Sequence, residues 1–291
     1  MSTLSPSISD LATDAVDSKP IVRLVPPRGW QLINLRELWR FRELLYFFIW
    51  RDVKVRYKQT FLGVAWAVLQ PAMMMAVFTV FLGRMAGLSS GTLPYSLFVY
   101  AGLLPWTFFA TGVTNASHSV VTSERLVTKI YFPRLTIPLS SVGAAAVDFV
   151  VALGLLGVLM VWHHVPPSSS IWAAPLILAA ITLTALGVGT LVAAMNVAYR
   201  DFRYVVPFMV QFWMFATPSI YQAQTHGSGT WIKVLLALNP MTALIAAFRS
   251  ACLGGTIDWH GVGISSVFGV LVFFAGCFYF RKVEHSFADT I

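Results

Sequence analysis

"RDVKVRYKQTFLGVAWAVLQPAMMMAVFTVFL" (residues 51–82) crowds Arg51, Lys54, Arg56 and Lys58 into eight positions, then runs from 61 to 82 without a charge. Crossing a bilayer takes roughly 20 predominantly apolar residues, and this run is long enough. Cations at its threshold pin a span to the inner side and meet the anionic inner leaflet. Working outward, similar charge-poor runs fall at 94–116, 136–162, 171–195, 204–222 and 262–280. With 61–82 they predict six transmembrane helices.

Composition agrees. Of 291 residues, 57% are hydrophobic and 11% charged, and the mean hydropathy is +0.72; a soluble domain carries about 25% charged residues. In water this chain would expose more apolar surface than one core could hide. The reading is an all-α integral membrane protein, with a disordered Ser-, Pro- and Asp-rich tail over 1–28 and one membrane domain over 29–291. The net charge of +8 is a membrane property and no sign of nucleic acid, because of where the cations lie. Seventeen of the twenty Lys and Arg residues fall in the N-terminal arm, the connections after the second and fourth spans, and the tail. Both termini are therefore expected in the cytoplasm. The first twenty residues contain Asp10, Asp14 and Asp17 and no apolar core, so the first span is expected to act as the insertion signal. Cys252 and Cys277 have no metal-ligand spacing and read as small hydrophobes.

Two further segments are apolar without reading as ordinary spans. Over 34–50, Asn34 and Glu37 have capping-box spacing, and Leu38, Phe41, Leu45 and Phe48 form one stripe, with Arg36, Arg40 and Glu43 largely on the other side. This predicts an amphipathic helix in the membrane interface; a plain surface helix is the alternative. Between the fifth and sixth spans, residues 231–253 are apolar but interrupted by Asn239-Pro240, a pair suited to a helix cap and first turn. Two pieces too short to cross predict a re-entrant helical hairpin. The rival is a seventh, kinked span, which would put Arg281 and Lys282 outside.

The chain lacks the G-x-x-x-x-G-K-[ST] phosphate loop. Asp148 is the one carboxylate well inside a run, and it reads as an interhelical hydrogen-bond partner more readily than as a proton relay. His118, His163 and His164 lie near span ends without metal spacing, and no nucleophile–base pair stands out. Nothing marks an enzyme or a built-in motor.

Four stretches taken in order carry a resemblance: "RDVKVRYKQTFLGVAWAVLQP" (51–71), "YAGLLPWTFFATGV" (100–113), "ERLVTKIYFPRLTIPLSS" (124–141) and "NVAYRDFRYVVPF" (196–208). Together they resemble the ABC-2 type permeases that export polysaccharides such as O-antigen, capsule and teichoic acid. The resemblance implies a homodimer in the bacterial inner membrane, paired with two copies of a separate nucleotide-binding ATPase that would carry the ATP and Mg; this chain would need no cofactor of its own. Its cargo would be a polyprenyl-diphosphate-linked glycan. A smaller lipid or drug as cargo, or a membrane-embedded transferase acting on lipid-linked sugar, are the alternatives.

Roles follow as expectations. Glu124, Arg125, Lys129, Tyr131, Phe132, Pro133 and Arg134 would couple to the ATPase, with Arg36, Glu37 and Arg40 as a second contact; a helix-start loop with interfacial aromatics is the plainer reading of 124–134. Arg51, Arg56, Tyr57 and Lys58 sit where a lipid diphosphate would arrive, although inward anchoring explains the same cations. Trp66, Phe78, Tyr100, Trp106, Phe109, Phe212 and Trp213 offer flat rings for a translocation path, or belong to packing and interfacial belts. Asn239 and Pro240 would shape an external gate. Gly187, Gly189 and Gly143 with Ala144–Ala146 permit close helix approach.

Overall fold

In a bilayer each backbone polar group must be satisfied within its own segment, so charge-poor runs become helices. The computed structural model describes residues 35–58, 60, 62–85, 93–129, 131–221, 236, 238–284 and 287, and every regular element among them is helical. The expected disordered tail and most of the first limb of the expected hairpin lie outside the described residues.

Helices α1 (Leu35–Arg40) and α2 (Arg42–Lys58) replace the single element expected over 34–50. The basic cluster forms the last two turns of α2, where cations meet the negative end of the helix dipole. Gly63, at φ +50°, supplies the left-handed backbone of the turn into the next helix. Among the described residues five helices are long and apolar enough to cross a membrane: α3 (Ala65–Met85), α4 (Tyr95–Thr122), α6 (Thr136–Trp162), α7 (Ile171–Ala198) and α10 (Trp259–Glu284). A short helix, α5 (Glu124–Lys129), links α4 to α6.

The run expected as a fifth span differs. It is a 15-residue helix, α8 (Phe202–Ala216), that stops at Thr217. Pro218 explains the stop, because its ring pushes the preceding residue out of helical geometry, and Thr217 is extended at φ −109°, ψ 130°. Helix α9 (Pro240–Leu253) begins behind Asn239 as its cap, as the Asn-Pro pair predicts.

Helix α4 is the hub. In its most apolar window 78% of the residues are buried inside the chain, against 6% for α3, which lies along the outside. Side-chain-free positions set the tightest contacts. A Cβ on Gly276 would sit 2.5 Å from the Gly187 carbonyl oxygen, so α7 and α10 meet backbone to backbone. A Cβ on Gly189 would sit 2.9 Å from that of Ala116, and one on Gly143 would meet Ile49 of α2 at 2.6 Å.

Contacts at the helix ends fix the levels. The Arg134 guanidinium donates to the Glu284 carbonyl, bringing the end of α10 to the α5–α6 connection. The Ser168 amide donates to the Cys252 carbonyl at 3.3 Å, and Trp172 stacks on Trp259 with centroids 6.0 Å apart. The end of α9 and the start of α10 thus lie at the α6–α7 connection. We call the end holding α2, α5 and the close of α10 the basic end.

Candidate functional site

At the basic end a second hydrophobic core, separate from the one around α4, joins elements far apart in sequence. Phe48 of α2, Val127 of α5, Phe132, Leu135 and Ile137, Val197 of α7, and Phe280 of α10 are all buried there, with Leu38 and Phe41 packed against them. Phe48 and Phe132 meet edge to face, centroids 5.6 Å apart, a geometry aromatic pairs favour. The two aromatics expected to act together are thereby split: Phe132 is 5% exposed and turned inward, and Tyr131 is 71% exposed. Glu124, Arg125, Lys129 and Arg40 are exposed, whereas Pro133 and Arg134 are half-buried. The Pro133 carbonyl accepts from the Thr136 amide at 2.9 Å and the Thr136 hydroxyl at 2.7 Å, anchoring the loop to α6. Arg36 and Glu37 lie on α1.

The basic cluster is more structured than a row of free cations. Arg51 pairs with Asp52 at 2.9 Å, its guanidinium 4.8 Å from the centre of the Phe48 ring. Arg56 and the Tyr57 hydroxyl both donate to the Asp148 carboxylate, 92 and 91 residues away on α6. Burial, followed by the hydrogen bond to that carboxylate, pushes the Tyr57 phenol up to about 12, which keeps it a donor. Lys58 is exposed.

Arg51 and Arg56 line a cleft of about 600 Å³ with His118, Glu124 and Arg125. A neighbouring cleft of about 760 Å³ is lined by His118, Glu124, Asn196, Arg200, Arg203 and Tyr204. His118 stands on the shared wall, its Nδ1 3.4 Å from the Asn196 amide nitrogen, which donates to the Ser117 carbonyl at 2.7 Å. Five arginines thus surround two adjoining clefts tempered by Asp52 and Glu124, a surface suited to a large anion. Sequence reasoning passed over His118, Arg200 and Arg203 here; the placement of both arginines in the basic "YRDFR" loop was the available sign.

Away from this end, Asn239 joins α8 to α9. Its side-chain oxygen accepts from the Trp213 indole at 3.0 Å and the Met241 amide at 3.1 Å, and its nitrogen donates to the Thr217 hydroxyl at 2.8 Å. Pro240 is buried beside it. Arg249 donates to the Ser219 carbonyl at 2.6 Å and lies 3.7 Å from the Phe98 ring centre, so it closes the turn that follows α8.

The aromatics expected to line a path divide. Tyr100, Trp106 and Phe109 are buried in the chain's own core. The Tyr100 hydroxyl donates to the Ala152 carbonyl at 2.8 Å, and Phe109 meets Trp213 edge to face at 5.1 Å. Phe78 and Trp213 are partly buried; Trp66 and Phe212 are exposed on the outside of the chain.

A multi-span helical chain with a half-length helix pair and a basic, cleft-bearing end has the makings of a transport permease, and comparison with known proteins identifies the class. The ABC-2 type transporter family matches residues 43–253, and the chain belongs to that family. Among its relatives is the O-antigen export system permease protein RfbA of Myxococcus xanthus, 30% identical over 88% of this chain and 98% of the relative. Another is the protein of that name from Klebsiella pneumoniae, 28% identical over 83% of this chain and 92% of the relative.

Proposed function

We propose that this chain is the permease subunit of an ABC exporter that carries a lipid-linked polysaccharide of O-antigen type across the bacterial inner membrane. The observation that carries the reading is family membership, joined to O-antigen export permeases aligned over 83–88% of the chain. ATP, with its Mg, is hydrolysed on a separate ATPase, two copies serving a homodimer of this chain. The exporter crosses the membrane six times per protomer, with both termini in the cytoplasm, α1 and α2 in the interface, and residues 231–253 re-entrant at the outer side.

On this reading the exposed face of α5 and Tyr131 meets the ATPase, while Phe132 transmits its movement to α2 through Phe48. The clefts bounded by Arg51, Arg56 and Arg203 receive the diphosphate of the carrier lipid, since arginine forks match phosphate oxygens. The glycan follows along a path completed by the second protomer, and Asn239 with Pro240 stands at its outer gate. The test is reconstitution. Permease co-purified with its partner ATPase is expected to move polyprenyl-diphosphate-linked glycan into proteoliposomes only with ATP. Transport by the permease alone, without ATPase or ATP, would overturn the assignment.

A further inference from the structure

Arg56 faces two ways. Its side chain lines the open cleft at the basic end, and the same guanidinium is held by Asp148 of α6. Beside Asp148 is a small space of about 30 Å³ bordered by Pro71, Leu104, Phe108 and Phe149 together with Thr107 and Thr111. Among the described residues no Lys or Arg lines that space, and the cation paired with the carboxylate is Arg56. It is the one acidic side chain within α6, the rest of which is apolar or small, and α2 supplies both of its donors.

We propose that Asp148 is an internal stand-in for the substrate's diphosphate, and that an arriving diphosphate takes Arg56 from it and so unlatches the C-terminal end of α2 from α6. The inference rests on the headgroup reading above. A diphosphate brings more charge and more acceptor oxygens than one carboxylate, and a guanidinium binds phosphate with two parallel hydrogen bonds. Tyr57 remains to donate to Asp148, so the carboxylate keeps a partner when Arg56 leaves. Arg51 and Arg125 on the cleft wall complete the anion's surroundings. Near its middle α2 stays rooted at Phe48, which touches Phe132 in the segment after α5. Release at Arg56 thus turns α2 about its root and moves the segment proposed to face the ATPase. Substrate arrival reaches the motor by this route.

The test uses the permease–ATPase complex in nanodiscs, with an environment-sensitive fluorophore on K54C. Lys54 is exposed on α2, and the native Cys252 and Cys277 are buried. Two probes are added separately: undecaprenyl diphosphate in the bilayer, and inorganic pyrophosphate in solution. In the parent protein a probe shifts the fluorescence. D148N, with its competitor gone, shows the shifted signal before any probe and binds roughly tenfold tighter, a coupling of ordinary size. Y57F, which keeps the carboxylate and its fold, is intermediate, and R56Q neither binds nor responds. Response to the lipid alone assigns the anion to the carrier lipid; response to pyrophosphate assigns it to a soluble diphosphate; both support the exchange. If D148N and Y57F bind as the parent does while R56Q loses binding, the exchange is overturned and the headgroup reading stands. If R56Q binds like the parent, both fall.

Discussion

A single amide, that of Asn239, holds together the join between α8 and α9. It accepts from an indole and a backbone N–H and donates to a hydroxyl, all in a site where Asn239 is buried. Removing one partner leaves the others unsatisfied, at about 1–3 kcal/mol for a buried polar group, and the loss of a helix cap adds about 1 kcal/mol. N239A is therefore expected to lower the melting temperature by several degrees. N239S, which can still cap α9 but cannot reach the indole, should recover part of it. A thiol-reactive dye reads the transition, since Cys252 and Cys277 are buried until the bundle opens. Equal melting of N239A and the parent would show that the join is held elsewhere. Arg249 belongs to the same scale: it is turned inward onto Ser219 and Phe98.

At the scale of elements, the segment from Glu124 to Arg134 has an outer and an inner face, and they make different predictions. Tyr131 is exposed and Phe132 is packed against Phe48. Y131A should leave melting unchanged while reducing permease-stimulated ATP hydrolysis severalfold. F132A should lower both melting and stimulation, because a buried Phe→Ala change costs about 3–5 kcal/mol. Measuring both quantities for each variant separates docking from packing; undiminished stimulation in Y131A would remove that residue from the ATPase surface. The split also marks what local pattern reveals. The helix break at Asn239-Pro240 was legible because both residues are suited to a helix start, whereas the stripe from Leu38 to Phe48 was legible only in part: the break at Phe41 splits it between two helices, and Leu44 packs on the second core where periodicity pointed to Leu45. The stop at Thr217 was less so, since hydropathy does not register what Pro218 does to the residue before it. The partner of Asp148 was not legible at all: a contact across 92 residues follows from how α2 docks on α6, which no window of sequence contains.

For the whole molecule the question is how the chain gets from the basic end to the α6–α7 connection after α7. Helix α8 starts beside the basic clefts, with Arg203 and Tyr204 on their wall. Helix α9 ends where the Cys252 carbonyl meets the Ser168 amide, and α10 then returns to Arg134. At about 1.5 Å per residue, neither the 15 residues of α8 nor the 14 of α9 spans a hydrocarbon core of about 30 Å. The start of α10 nonetheless lies at the α6–α7 connection, at the end opposite Tyr131, and the topology proposed above takes this as one net passage between α7 and α10. Single cysteines test this in cells, with the buried native pair as a silent background. S169C and T256C are expected to react with a membrane-impermeant maleimide from the periplasm, and Y131C and R200C only after the inner membrane is opened. T256C reacting together with Y131C would mean that α9 makes a full seventh crossing. That result would carry the end of α10 away from Arg134, and with it the second core through which α2 and α5 are joined.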